Sequence, residues 1–142
     1  MTERELIRKA MEQLNYAYAP YSEFRVGAAL LCTDGRVFTG CNIENAAYTP
    51  SNCAERTAFF KAVSEGERDF EAIAIVGGKK GKIEDYCAPC GVCRQVMAEF
   101  CHVESFKIIM AKTEEDYQVC TLEELLPKAF TPKILEVEYE SI

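Results

Sequence analysis

Cys90 and Cys93, in the run Pro89-Cys90-Gly91-Val92-Cys93, are spaced so that both sulfurs can reach one ion. No other feature of the chain restricts its fold so tightly. A third thiol, Cys53, lies far upstream, with a carboxylate two residues on in Cys53-Ala54-Glu55. A fold that uses all three sulfurs must bring two distant segments to one point. Zinc suits this donor set, because it takes thiolates tetrahedrally and its hydrolytic sites keep three protein ligands with water in the fourth place. Glu55 is then placed to hold or move a proton of that water. A closed structural site needs a fourth ligand instead. The chain offers Cys87 close by and one imidazole, His102, beyond the second metal segment.

A chain of 142 residues with a hydrophobic fraction of 49% fits one domain, residues 1–142, around a single core. Eight cysteines without an export signal point to metal binding and reduced thiols rather than disulfides. The start, Met1-Thr2-Glu3-Arg4-Glu5, carries charge and no apolar stretch, so no signal peptide is expected. No apolar run approaches the roughly 20 residues that span a bilayer. The expectation is a soluble, cytoplasmic protein with no membrane partner. A net charge of -7 speaks against nucleic acid as a partner and for a small uncharged ligand. The only dense basic run, Lys79-Lys80-Gly81-Lys82, reads as a solvated turn.

Helical spacing of Leu6, Ile7, Ala10, Met11, Leu14 and Ala17 predicts a helix from near Glu3 to Tyr18, with Thr2 and Glu5 as a capping box. Phe24 to Cys32 reads as a buried strand, Thr33-Asp34-Gly35 as a turn and Arg36 to Cys41 as the returning strand. A polar loop from Asn42 to Asn52 leads into a helix from Cys53 to Ser64, with Ser51 or Asn52 as its cap. Phe70 to Gly77 is a strand too apolar on both faces to be an edge, and Gly77 to Asp85 a mobile, charged connection. A helix follows from Cys90 to Phe100, then strands at Phe106 to Ala111 and Tyr117 to Cys120, and a helical turn at Leu122 to Leu126. Alternating strands and helices predict an α/β chain, a three-layer α/β/α sandwich on a mixed, mostly buried five-stranded sheet.

Both ligand segments fall where helices begin, and helix N-termini favour thiolates. Three thiolates still exceed the charge of Zn²⁺, so the site needs further positive charge. Arg56 and Arg94, each one residue beyond Glu55 or a ligand, are the candidates to bond the sulfurs.

Cys53-Ala54-Glu55-Arg56 and Pro89-Cys90-Gly91-Val92-Cys93-Arg94-Gln95 together resemble the small homotetrameric, zinc-dependent cytidine deaminases. The resemblance extends to Tyr18-Ala19-Pro20-Tyr21-Ser22-Glu23-Phe24-Arg25-Val26-Gly27, to Asn42-Ile43-Glu44-Asn45-Ala46-Ala47-Tyr48 and to Leu125-Leu126-Pro127-Lys128-Ala129-Phe130. It implies the cytidine deaminase-like fold, one Zn²⁺ per chain on Cys53, Cys90 and Cys93, and Glu55 as the proton shuttle. It further implies a nucleoside substrate, hydrolysed to uridine or 2′-deoxyuridine with release of ammonia, a step of pyrimidine salvage. In that reading Asn42 and Glu44 bind a ribose hydroxyl, while Phe24 and the backbone of Ala54 grip the base. Ala46, Tyr48 and Phe130 reach the site of a neighbouring subunit in a homotetramer. The tail from Lys133 to Ile142 has no counterpart in the resemblance. Two alternatives stand beside it: a deaminase of a cytosine-nucleoside antibiotic such as blasticidin S, and a zinc-stapled binding module without chemistry.

Overall fold

The structure, a computed structural model, describes residues 1–137; the end of the tail, 138–142, lies outside the described residues. The first helix, α1, runs Glu3–Glu12, and the Thr2–Glu5 capping box forms in both directions. Periodicity predicts helix to Tyr18, but the chain tightens into a 3-10 turn over Gln13–Tyr16. The reason is tertiary: Tyr18 is already extended and bridged to Ile43, its N–H donating to the Asn42 carbonyl at 2.9 Å.

Strands β1 (Phe24–Cys32) and β2 (Val37–Cys41) form the hairpin expected around Asp34-Gly35. With β3 (Phe70–Lys79), β4 (Lys107–Ala111) and β5 (Tyr117–Thr121) they make a five-stranded sheet in the order β2-β1-β3-β4-β5. Every neighbouring pair is antiparallel except β3 and β4. Helix α2 (Ala54–Ser64) links β2 to β3, and α3 (Gly91–Phe100) is the crossover between the parallel pair. A short helix, α4, spans Leu122–Leu125.

The pleat sorts the core into two layers. Ala28, Leu30, Ile73, Ile75, Ile108 and Met110 face α2 and α3, where Ala58, Phe59, Ala62, Met97 and Ala98 meet them. Ala29, Leu31, Ala74, Val76 and Ile109 face the other way, onto Leu6, Ile7 and Ala10 of α1. The expected three layers are therefore present, with β3 buried on both faces and β5 the more exposed edge. Among the described residues no helix is long and apolar enough to cross a membrane.

Strand β3 outruns its expected end at Gly77, because Gly77 and Gly78 continue the pairing with Val26 and Arg25. Gly78 has no side chain where the Lys82 carbonyl packs; a Cβ would lie 1.9 Å from that oxygen. The expected mobile connection thus begins as a tight turn, with the Lys82 N–H donating to the Lys79 carbonyl at 3.0 Å.

Gly40 decides how closely α2 approaches the sheet. A Cβ there would stand 2.4 Å from the Ala54 carbonyl oxygen and 2.6 Å from the Ala58 nitrogen, both backbone atoms. Gly40→Ala must push back the first turn of α2, which carries Glu55. The expected loss is about 1–3 kcal/mol, the usual cost of overpacking, read from the denaturation midpoint. An unchanged midpoint contradicts this account of the helix seat.

Candidate metal centre

Helices α2 and α3 lie on the same face of the sheet. Cys53 is the residue before α2, in extended conformation at the N-cap, rather than within the first turn. The expected caps, Ser51 and Asn52, do not fill that place. Asn52 pairs its backbone with Ile43, and its side-chain N–H donates to Thr57 Oγ1 at 3.2 Å. Cys90 holds the matching position before α3, where its Sγ accepts the Cys93 N–H at 3.4 Å.

The three sulfurs converge. Cys53 Sγ is 3.6 Å from Cys90 Sγ, which is 3.4 Å from Cys93 Sγ, and all three lie within 4.8 Å of one another. A tetrahedral zinc with bonds of about 2.3 Å sets its sulfurs about 3.8 Å apart, so the observed spacing fits that ion and is far too long for a disulfide. Among the described residues no fourth Cys, His, Asp or Glu joins the cluster. His102 is exposed beyond α3 and takes no part in it.

The charges make the same point. The hydrogen bond from Cys93, with help from Arg56 and Cys90, brings the Cys53 thiol down to about 5. Cys93 moves strongly upward, because it donates to Cys53 and is buried beside it. One thiolate forms readily here and a second is resisted, so a bound cation is what would let all three ionise. A further cluster, Cys32, Asp34 and Glu67, escaped the sequence reading. There the guanidinium of Arg36 already pairs with both carboxylates.

Glu55, in the first turn of α2, is 4% exposed and lines a cavity of about 500 Å³ together with Cys53 and Cys90. Burial pushes its carboxyl up to about 7, against hydrogen bonds from its own N–H and from the Cys93 thiol. Through the Cys93 thiol it is in direct contact with the sulfur cluster. Cys87 lines the same cavity but stays outside the cluster; burial, with Glu55 and Cys53 nearby, pushes its thiol up to about 12.

The two arginines part company. Arg56 Nη2 donates to Cys53 Sγ at 3.3 Å. Burial opposes its charge, but bonds to Cys53 and Cys93 outweigh that and hold the guanidinium above its usual range. Its Nε is buried without a partner among the described residues. Arg94 does not bond the sulfurs. Its Nε donates to the Pro89 carbonyl and its Nη1 to the Leu125 carbonyl, both at 2.8 Å, so it ties the metal loop to the end of α4. Arg56→Ala should weaken zinc binding by about 10–100-fold, the usual effect of removing a ligand's partner. Competition against a chelator measures it, and unchanged affinity would show that the Arg56–Cys53 bond does not support the metal.

Of the other expected residues, Asn42, Glu44, Tyr48 and Ala54 line the cavity. Asn42 Oδ1 accepts the Val26 N–H and its Nδ2 donates to the Phe24 carbonyl, both at 2.8 Å. The Glu44 carboxylate accepts from the N–H of Tyr21 at 2.9 Å, the N–H of Ser22 at 3.1 Å and the Ser22 hydroxyl. Tyr48 sits in the left-handed region at φ 62°, 74% exposed, with its ring edge-on to Tyr21 at 6.4 Å. Phe24 is at the margin rather than in the lining. It is 41% exposed and converges with Cys87 and Val26 around Gly77. Ala46 and Phe130 are exposed and do not line this chain's own cavity; the Phe130 carbonyl accepts from Gln95 Nε2 at 2.8 Å. Sequence reasoning missed Val26, Thr49 and Val92 in the lining, and no local signal marks them.

Residues 1–111 match the family model for the cytidine and deoxycytidylate deaminase zinc-binding region. A cytidine deaminase of Sporosarcina psychrophila is 47% identical over 140 residues, covering 99% of each chain. One from Halalkalibacterium halodurans is 52% identical over 131 residues, or 92% of this chain and 96% of that one. The crystal structure of cytidine deaminase from Burkholderia pseudomallei matches with a TM-score of 0.83 at 47% identity, over 92% of this chain and 100% of that one.

Proposed function

The chain belongs to the cytidine and deoxycytidylate deaminase family, and we propose that it hydrolyses cytidine and 2′-deoxycytidine to uridine and 2′-deoxyuridine, releasing ammonia. One observation carries this reading: three sulfurs within 4.8 Å of one another share a cavity with the buried carboxyl of Glu55. In this proposal Cys53, Cys90 and Cys93 hold one zinc per chain.

Zinc held there would supply a Lewis acid and so lower the pKa of the attacking water. Glu55 takes a proton from the water that attacks C4 and passes it to ring N3, which makes C4 electrophilic. As the water oxygen bonds to C4, Glu55 carries the second proton to the amino group, which leaves as ammonia. The carboxylate ends the cycle as it began. Asn42 keeps one side-chain N–H and Glu44 one acceptor position beyond their bonds within the chain, enough to read one sugar hydroxyl from both sides. Phe24 packs on the base, with the backbone of Ala54 opposite. The negative charge of Glu44 at the sugar end disfavours a phosphate and so favours a free nucleoside.

Residues 1–142 act as one domain, and the chain assembles as a homotetramer in which Ala46, Tyr48 and Phe130 complete a neighbour's site. The exposure of Tyr48 at 74% and Phe130 at 57% supports this, since closed assembly would cover both rings. Pyrimidine salvage in the cytoplasm is the setting that this chemistry fits.

Zinc content, the fall in cytidine absorbance and ammonia release, measured on one preparation, test the reaction. A zinc-replete protein that leaves cytidine unchanged overturns it. Dilution below the assembly's dissociation constant should lower specific activity, and a fully active monomer rules out the shared site.

A further inference from the structure

Ser22 stands between two groups assigned to the substrate. Its hydroxyl donates to Glu44 Oε2, and its oxygen accepts the Phe24 N–H at 3.0 Å. The Phe24 backbone is therefore held on both sides of its Cα, by Ser22 at the N–H and by Asn42 at the carbonyl. Glu44, Ser22, Phe24 and Asn42 form one connected network, in which Ser22 alone has no part in the proposed reaction.

Resting on the deaminase reading, we propose that Ser22 is a positioning residue: it fixes the Glu44 carboxylate for one sugar hydroxyl and ties that setting to the aromatic that packs on the base. A carboxylate has about four acceptor positions. Two on Oε1 take the N–H groups of Tyr21 and Ser22, and one on Oε2 takes the Ser22 hydroxyl. The one that remains is held in direction by the other three. The Ser22 hydroxyl is also the largest influence keeping Glu44 below the usual carboxylate range, so the group stays an acceptor. Neither Glu55 nor the sulfurs belong to this network. Loss of Ser22 should therefore weaken binding and spare the chemical step.

A cavity of about 320 Å³ bounded by Tyr21, Ser22, Glu44, Tyr48 and Ser51 adjoins the hydroxyl, leaving room for one added methyl. Ser22→Thr thus serves as the conservative variant beside Ser22→Ala. The experiment takes the zinc-loaded parent, both variants, Glu44→Gln and the double variant, and measures steady-state cytidine turnover and the Kd for uridine. Ser22→Ala should raise both the KM for cytidine and the Kd for uridine about tenfold, the scale of a lost charge-assisted bond, with kcat changed less than about twofold. Ser22→Thr should recover most of that loss. In the Glu44→Gln background, Ser22→Ala should add less than about twofold, because its effect passes through the carboxylate. A fall in kcat at constant KM, a Thr variant no better than Ala, or equal effects in both backgrounds each overturn the assignment. A zinc-loaded parent inactive on cytidine sinks the deaminase reading itself, whereas an active parent with additive variants sinks only Ser22.

Discussion

Glu55→Gln should yield a folded protein that carries one zinc per chain and releases almost no ammonia from cytidine. The carboxyl is 4% exposed and touches the Cys93 thiol, and it lies outside the trio of sulfurs that can share an ion. An amide of the same shape fills the same space and can still accept a hydrogen bond, so neither fold nor metal depends on the acid. The proton is what disappears. Burial pushes the carboxyl up to about 7, so the acid both takes and returns a proton near neutrality, and an amide does neither. Positioned acid–base groups contribute about 10²–10⁴-fold, and Glu55 serves two transfers in one cycle, so the upper end of that range is expected. Zinc analysis, the melting transition and an ammonia assay on one preparation check all three parts. Turnover at the parent rate removes Glu55 from the mechanism.

The second large effect is expected at Cys90. Cys90→Ala leaves Cys53 and Cys93, and two thiols do not complete a hydrolytic zinc shell. Zinc content should fall from one per chain towards none, and deamination with it. The substitution also removes a cap, since Cys90 Sγ accepts the Cys93 N–H at 3.4 Å. That loss costs about 1 kcal/mol of helix stability, the usual value of an N-cap. Cys90→Ser separates the two effects, because its hydroxyl caps α3 well but is a poor zinc ligand. If Ser restores stability and leaves the metal missing, ligation is the larger role. Full zinc in both variants excludes Cys90 from the shell.

The parts of the fold written in short stretches were legible. The Thr2–Glu5 capping box, the Asp34-Gly35 hairpin and the apolar run of β3 each follow from residues a few positions apart, and each formed. What could not be read depends on distant partners. Helix α1 stops early because Tyr18 is claimed by Ile43 and Asn42. Arg94 sits beside a ligand in sequence, yet two carbonyls, one of them 31 residues away, take its guanidinium. The Cys90–Cys93 half of the sulfur cluster was legible because its spacing is local, whereas Cys53, 37 residues from Cys90, joins it only through the fold. The bracing of Glu44 by Ser22 was not legible, since the two lie 22 residues apart and meet only when the loop after β2 folds back on the start of β1.

The sulfurs differ in depth: Cys93 is 1% exposed on the inner face of α3, whereas Cys90 stands open to solvent. An ion held by the three would meet solvent first at Cys90, so that ligand would be the one most open to exchange. Val92, in the first turn of α3 beside Cys90, is also exposed. Anything that roofs that turn, a neighbouring subunit included, lengthens the residence time of the metal without altering a single ligand.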